Sequence, residues 1–525
     1  MMNSLLRFLA PIFLLLTACN LGQAESVAAF PTATTVRVDA AILVPTQARL
    51  AQVVQPVITQ TPSATPVAAP VAACQAVPAD QASVSHSVQA QLDYAARILV
   101  GQQQIHYVNR THETFDEVVL NIEANLWPEA FQLQRVTLGP IGIPLSYELT
   151  GRRLTVTLPD ALAPGCSLDL QLGFRLDVPL MGTGVSAYRG YLGHSKRQVN
   201  LGHWLPTIAL HQAGEWITRE AVFIGEQVVQ EVANWDVTLS VSNAPDGLIV
   251  VGPGEVLQDG PQTWRFVVQA ARDFTLSLSD SYRVISTETD SGVVVEVYSF
   301  DDAVVSLDNG TTVDGAEDTL HYASRSLAMF EDLYGPYPYG RLAVVQADFP
   351  DGMEFSGVIF VGGSWFTRYP GSAASYLMLI TVHEVAHQWW YAVVGSDQAK
   401  SPWLDEALAT YHEYVFIEEY YPDLKDWWWQ FRVNYYAPAG FVDSSVYEFA
   451  NVREYINAVY LLGARMLHEL RQAMGTDAFF AWLADYVEAG QGRVVSAELL
   501  WSLLSAEQHE ATQAIRQQYL RSLEE

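Results

Sequence analysis

Residues 383–387 read His-Glu-Val-Ala-His inside the helix-compatible run SAASYLMLITVHEVAHQWWYAVV. On a helix, positions four apart lie one turn apart on a single face, so His383 and His387 can grip one ion while Glu384 stays beside it as a base. That demand constrains the rest of the chain, because a third ligand must return on another helix. Eighteen residues separate His387 from Glu406, enough to finish one helix, turn and come back. Glu406 lies in WLDEALATYHEYVFIEE, which is also helix-compatible. It would complete a two-histidine, one-glutamate set around one Zn2+ per chain, with the fourth position left for water. The neighbouring carboxylates fit less well: Asp405 would point about 100° away around the same helix, and Glu413 lies nearly two turns further on. Thr410 is a candidate for fixing a ligating imidazole, with plain helix packing as the alternative.

The flanking sequence divides by pattern. From about Gln89 to Ser281, short alternating runs such as DEVVLNIEANL, RRLTVTLP and TWRFVVQAARDFTLSLSD are bounded by Gly, Pro and Asn. They predict an N-terminal β saddle or sandwich domain over residues 88–284. After Tyr282 the pattern changes: DGAEDTLHYASRSLAMFEDLYG reads as an amphipathic helix ending at Gly335, LAVVQADF and GVIFVG as strands, and most of the remainder as helix. Residues 285–525 are therefore expected to form a mostly helical α+β unit.

The N-terminus carries Arg7 and then the apolar run FLAPIFLLLTA, too short to span a bilayer and of the size of a signal-peptide core. Residues 16–19, Leu-Thr-Ala-Cys, resemble a bacterial lipobox. The resemblance implies a signal peptide over 1–18, a lipidated Cys19 and, over 19–87, a Pro/Ala/Thr-rich flexible tether. An ordinary secretory peptide or an uncleaved anchor are the alternatives, and each places the bulk of the chain outside the cytoplasm. Attachment to the membrane is expected through the N-terminal lipid only. Cys74 and Cys166 remain, an even pair that permits one disulfide or two free thiols. With 28 basic against 58 acidic residues, the net charge of -30 argues against nucleic-acid partners.

HEVAHQWW together with WLDEA resembles the M1 aminopeptidases, members of the gluzincin group. Asp405 and Ala407 stand where that family usually has Asn and Gly, and the ligands are untouched. The resemblance covers the chain from about residue 90 and implies a β saddle on a thermolysin-like zincin catalytic domain. DGMEFSG resembles the loop whose glutamate binds a substrate's free α-amine, which maps to Glu354 with Gly352 and Met353 along the cleft. Phe355 replaces the usual Asn. YINAVYLLGARML resembles the segment whose tyrosine stabilises the oxyanion, mapping to Tyr460, with Leu462 in place of Lys and Gly463 kept. Tyr455 matches a site-lining tyrosine in part of the family. RQVNLGHWLP lies where a cleft motif usually stands but does not keep it, so Gln198, His203 and Trp204 receive no substrate role. The family's larger members carry further domains that enclose the site, and a more open cleft is expected here.

These readings converge on a zinc aminopeptidase acting on extracytoplasmic peptides. The alternatives are an endopeptidase or epoxide hydrolase on the same scaffold, or a noncatalytic peptide-binding surface lipoprotein.

Overall fold

The computed structural model describes residues 81–182 and 189–521, all within one compact unit. The signal segment, Cys19, Cys74 and nearly all of the segment read as a tether lie outside the described residues. Its last residues, 84–87, already belong to the first strand, Val84–Asp93.

Period-two alternation builds the N-terminal half. In Val84–Asp93 the side chains of Val84, His86, Val88, Ala90 and Leu92 are buried while those between them are not. This strand sits centrally in an eight-stranded mixed sheet. It pairs parallel with Ala233–Ser242 and antiparallel with Ile98–Val108. Two four-stranded sheets, one containing Phe115–Asn121 and Arg153–Leu162, the other Val199–Leu201 and Leu276–Ser279, and a two-stranded pair, His211–Gln212 with Glu215–Trp216, complete this half among the described residues. Cys166 is buried and disulfide-bonded.

The second half opens with a five-stranded sheet in the order Arg283–Glu288, Val294–Ser299, Arg341–Ala347, Val358–Gly362, Gly352–Met353. The boundary expected at 284/285 falls inside its first strand. The last strand is an edge, antiparallel to its neighbour, with Gly352 opposite Val361 and Met353 opposite Phe360. The helix Gly315–Tyr334 starts where Asp314 accepts from the amide of Ala316 and stops at Gly335, whose φ of 92° favours glycine. Ala316, Thr319, Ala323, Ser326, Leu327 and Phe330 form its buried stripe, which packs against the helix Tyr376–Ala386.

Tyr376–Ala386 carries the histidine motif and is buried on nearly every side. Ser375 caps its start. The helix-compatible pattern continues through Val394, yet regular α-helix ends at the second histidine. A wider π-type turn follows over Gln388–Val393, and Trp390 and Tyr391 leave helical geometry. The carbonyls released there are taken up by a buried guanidinium from the strand-rich half. Arg272 donates to the carbonyl oxygens of Tyr391 (2.7 Å) and Ala392 (3.5 Å), and also to those of Gln230 (2.8 Å) and Arg493 (3.3 Å). The chain then turns back into the helix Trp403–Tyr420. Among the described residues, no helix is long and apolar enough to cross a membrane.

Candidate active site

The two helices bring His383, His387 and Glu406 together as their sequence spacing predicts, with ligand atoms within 4.8 Å of one another. Each imidazole is oriented through its Nδ1. His387 Nδ1 lies 2.5 Å from Oδ1 of Asp405, and His383 Nδ1 lies 3.2 Å from Oε1 of Glu413. Ionised carboxylates only accept, so both rings carry their proton on Nδ1 and turn the Nε2 lone pair toward Glu406. Oε2 of Glu406 is 3.2 Å from His383 Nε2 and 3.5 Å from His387 Nε2. Zinc bonds of about 2.0–2.2 Å in a tetrahedron put neighbouring ligand atoms about 3.3–3.6 Å apart. Three acceptors converging at that spacing fit a divalent cation.

Glu413 is the partner that sequence spacing alone passed over. It is fully buried and also accepts from Arg432 (Nε 2.9 Å, Nη2 2.8 Å) and from Trp428 Nε1 (3.1 Å). Burial would raise its carboxyl pKa, but Arg432 and His383 outweigh that and hold it below the ordinary carboxylate range. The seven-residue interval between Glu406 and Glu413 was the available signal: two turns of one helix place both carboxylates on one face, on either side of the same imidazole. The role expected of Thr410 is not found, since its buried hydroxyl has no hydrogen-bond partner among the described residues. Asp405 does point away from the ligand set, and that direction is what lets it serve His387. A second group of candidate ligands, Glu354, His387 and Asp405, shares His387, and within it the contact of Asp405 with His387 Nδ1 is a hydrogen bond.

Glu384 is 4% exposed, and its Oε2 is buried with no hydrogen-bond partner among the described residues. Burial pushes its pKa up to about 7 against the pull of His383 and His387. Gly352 lies directly against it on the edge strand. Glu354, two residues on, is 5% exposed, and burial raises its pKa well above the ordinary value. Met353 is buried beneath the same edge.

Tyr460 faces the site from a π-type segment, Ile456–Leu462. Its ring is parallel to that of His383, at 3° and 5.9 Å between centroids. Burial first, and then the charge of Glu406, hold its phenol pKa well above the ordinary value, so it remains a neutral donor. Tyr455 packs edge-on against Tyr460 at 5.4 Å and lies behind it, 3% exposed. Phe355 is buried in an aromatic cluster with Tyr191 and His203, and Gly202 leaves it room, since a Cβ there would sit 2.5 Å from the Phe355 ring. Gln198 and Trp204 are buried as well, Gln198 bonded to Tyr282 Oη and to the Gln346 carbonyl.

With this geometry in hand, comparisons with known proteins point in one direction. Residues 319–519 match the peptidase family M1 domain. Aminopeptidase N of Lactobacillus delbrueckii subsp. lactis is 26% identical over 273 residues, 48% of this chain and 31% of that protein. Human endoplasmic reticulum aminopeptidase 1 is 29% identical over 241 residues, 43% of this chain and 24% of that protein. The chain thus spans under a third of the length of these relatives. In structure it is similar to an M1 zinc metallopeptidase from Deinococcus radiodurans, with a TM-score of 0.60 at 19% identity over 84% of this chain and 95% of that one. A mutant of the Deinococcus enzyme bound to a Tyr-Ser-Ala substrate aligns with the same score. Residues 319–519 therefore match the peptidase family M1 domain, and the fold of the chain is similar to that of an M1 zinc metallopeptidase.

Proposed function

We propose that this chain is a zinc aminopeptidase that releases N-terminal residues from peptides, with one zinc per chain held by His383, His387 and Glu406. The observation that carries the reading is the 3.2 and 3.5 Å spacing of the three acceptors, with Glu384 and Glu354 buried beside them. Zinc at that point supplies a Lewis acid for the scissile carbonyl and the attacking water. Glu384, whose free oxygen faces the site, takes the proton of the water and later delivers it to the leaving amine. The neutral hydroxyl of Tyr460 donates to the oxyanion without adding a permanent charge. Glu354 receives the α-ammonium of the substrate, whose positive charge offsets the cost of a buried carboxylate and limits cleavage to the first residue. The edge strand Gly352–Met353 lies along the substrate path, and Tyr455 supports Tyr460 from behind.

The N-terminal sequence supports an extracytoplasmic location with a lipid on Cys19, and incorporation of labelled fatty acid into the full chain, lost in Cys19→Ser, tests it. The catalytic reading is tested by comparing free and N-acetylated forms of one peptide. Strong preference for the free amine is expected, and equal rates would move the assignment to an endopeptidase. Glu384→Gln should abolish turnover while zinc, measured by atomic emission, stays stoichiometric.

A further inference from the structure

Between the two helices that supply the ligands, the chain makes a turn at Asp397, and the turn is fastened from two sides. Arg219 of the strand-rich half pairs with the Asp397 carboxylate, its Nε at 2.8 Å, and Gly395–Ser396 pairs with Val494–Val495. The next side chain, Gln398, is 5% exposed. One atom of it does two things: Nε2 lies 3.1 Å from Oε1 of Glu354 and 2.6 Å from Oδ2 of Asp405. With its nitrogen toward the two carboxyl groups, the amide gives one hydrogen to each. The other oxygen of Asp405 holds His387. A single buried amide thereby ties Glu354 to the group that orients a ligand.

We propose that Gln398 is a positioning residue that sets the preference for a free N-terminal ammonium by holding Glu354 in register with the Asp405–His387 pair. This rests on the aminopeptidase reading above. The choice of an amide follows from charge. Arginine or lysine at this position would also donate to both carboxylates, but would supply the countercharge to Glu354 in advance and compete with the substrate. A neutral amide fixes the geometry and leaves the charge of Glu354 for the arriving ammonium. An apolar side chain would leave two buried carboxylates short of a donor and free to turn.

The test compares kcat/KM for one peptide in free and N-acetylated form, in wild type, Gln398→Met and Gln398→Lys, each checked for zinc content and thermal melting. In Gln398→Met the free-to-acetylated ratio is expected to fall by about tenfold or more, the equivalent of one charge-assisted hydrogen bond, carried by KM for the free peptide with zinc still stoichiometric. Gln398→Lys is expected to lose the same preference although its donors are restored, an outcome a purely structural role would not give. An unchanged ratio in either folded, zinc-loaded variant overturns the proposal, as does a fall that follows zinc loss alone. If Gln398→Met does not fold, the isosteric Gln398→Glu decides in the same assay. A wild-type ratio near one would instead defeat the aminopeptidase reading itself, so the two failures are distinguishable.

Discussion

A Cβ placed on Gly352 would sit 2.0 Å from Oε1 of Glu384. The carboxyl of Glu384, the proposed base, thus occupies the space that a side chain at position 352 would need. Glu384 is 4% exposed, so its carboxyl would have to shift within the buried site to make room. Gly352→Ala is expected to lower kcat by about a hundredfold, the scale of a displacement of roughly 1 Å in a reacting group. Zinc content should remain at the wild-type level.

Glu413 and Arg432 form a buried pair whose free oxygen valence orients His383. Glu413→Gln keeps the shape but weakens that orientation, and zinc affinity measured by competition with a chelator should fall about 10–100-fold. Arg432→Met leaves Glu413 buried without its cation and should destabilise the fold by about 3–5 kcal/mol in denaturant unfolding.

Tyr460→Phe removes the proposed oxyanion donor and leaves the ring stacked on His383. Its expected signature is a kcat about 100–1000-fold lower with KM and zinc content little changed. Tyr455→Phe, one layer further back, should cost far less in the same steady-state assay.

Three buried histidines outside the metal set are held neutral. Burial lowers His86 to about 3, and His203 and His412 to about 4. His86 lies stacked on Trp235, 3.9 Å between ring centroids, and its Nδ1 accepts from Gln103 Nε2 at 2.9 Å. A folded pKa below the unfolded 6.5 means that the unfolded chain binds more protons below that pH, so stability declines as pH falls from 6.5 toward 3. Burial acts oppositely on Glu226 and Asp273, raised to about 7 and about 6, whose stabilising contribution is lost as pH rises through those values. Comparing wild type with His86→Phe cancels the shared groups. The variant keeps the stack on Trp235, and its melting temperature should fall less steeply between pH 6.5 and 4.

The parts of the site that rest on local periodicity were legible in the sequence: two histidines one turn apart, a glutamate on the returning helix, and alternating strands before them. What sequence spacing did not reveal depends on which way side chains meet across elements. Glu413 acquires its role only because Arg432 and Trp428, from a later segment, make a buried carboxylate tolerable there. Gln398 sits in a turn with no pattern around it. The two departures from the family pattern, at Phe355 and in RQVNLGHWLP, looked independent in sequence. In space they are one adjustment, because Gly202 and His203 make the slot that the larger Phe355 ring fills.

Arg272 belongs to the strand-rich half, yet its guanidinium closes the backbone just after His387. The segment recognisable as a family module begins at residue 319 and so does not contain the cation that finishes its own metal-bearing helix. A fragment or chimera cut at that border would inherit the three candidate ligands and lose the plug, leaving the Tyr391 and Ala392 carbonyls without their guanidinium donor and the Arg493 carbonyl with only the Gly395 amide. The inheritable unit of this candidate metal centre is larger than its sequence signature, and grafting the signature alone would transplant a lock without its bolt.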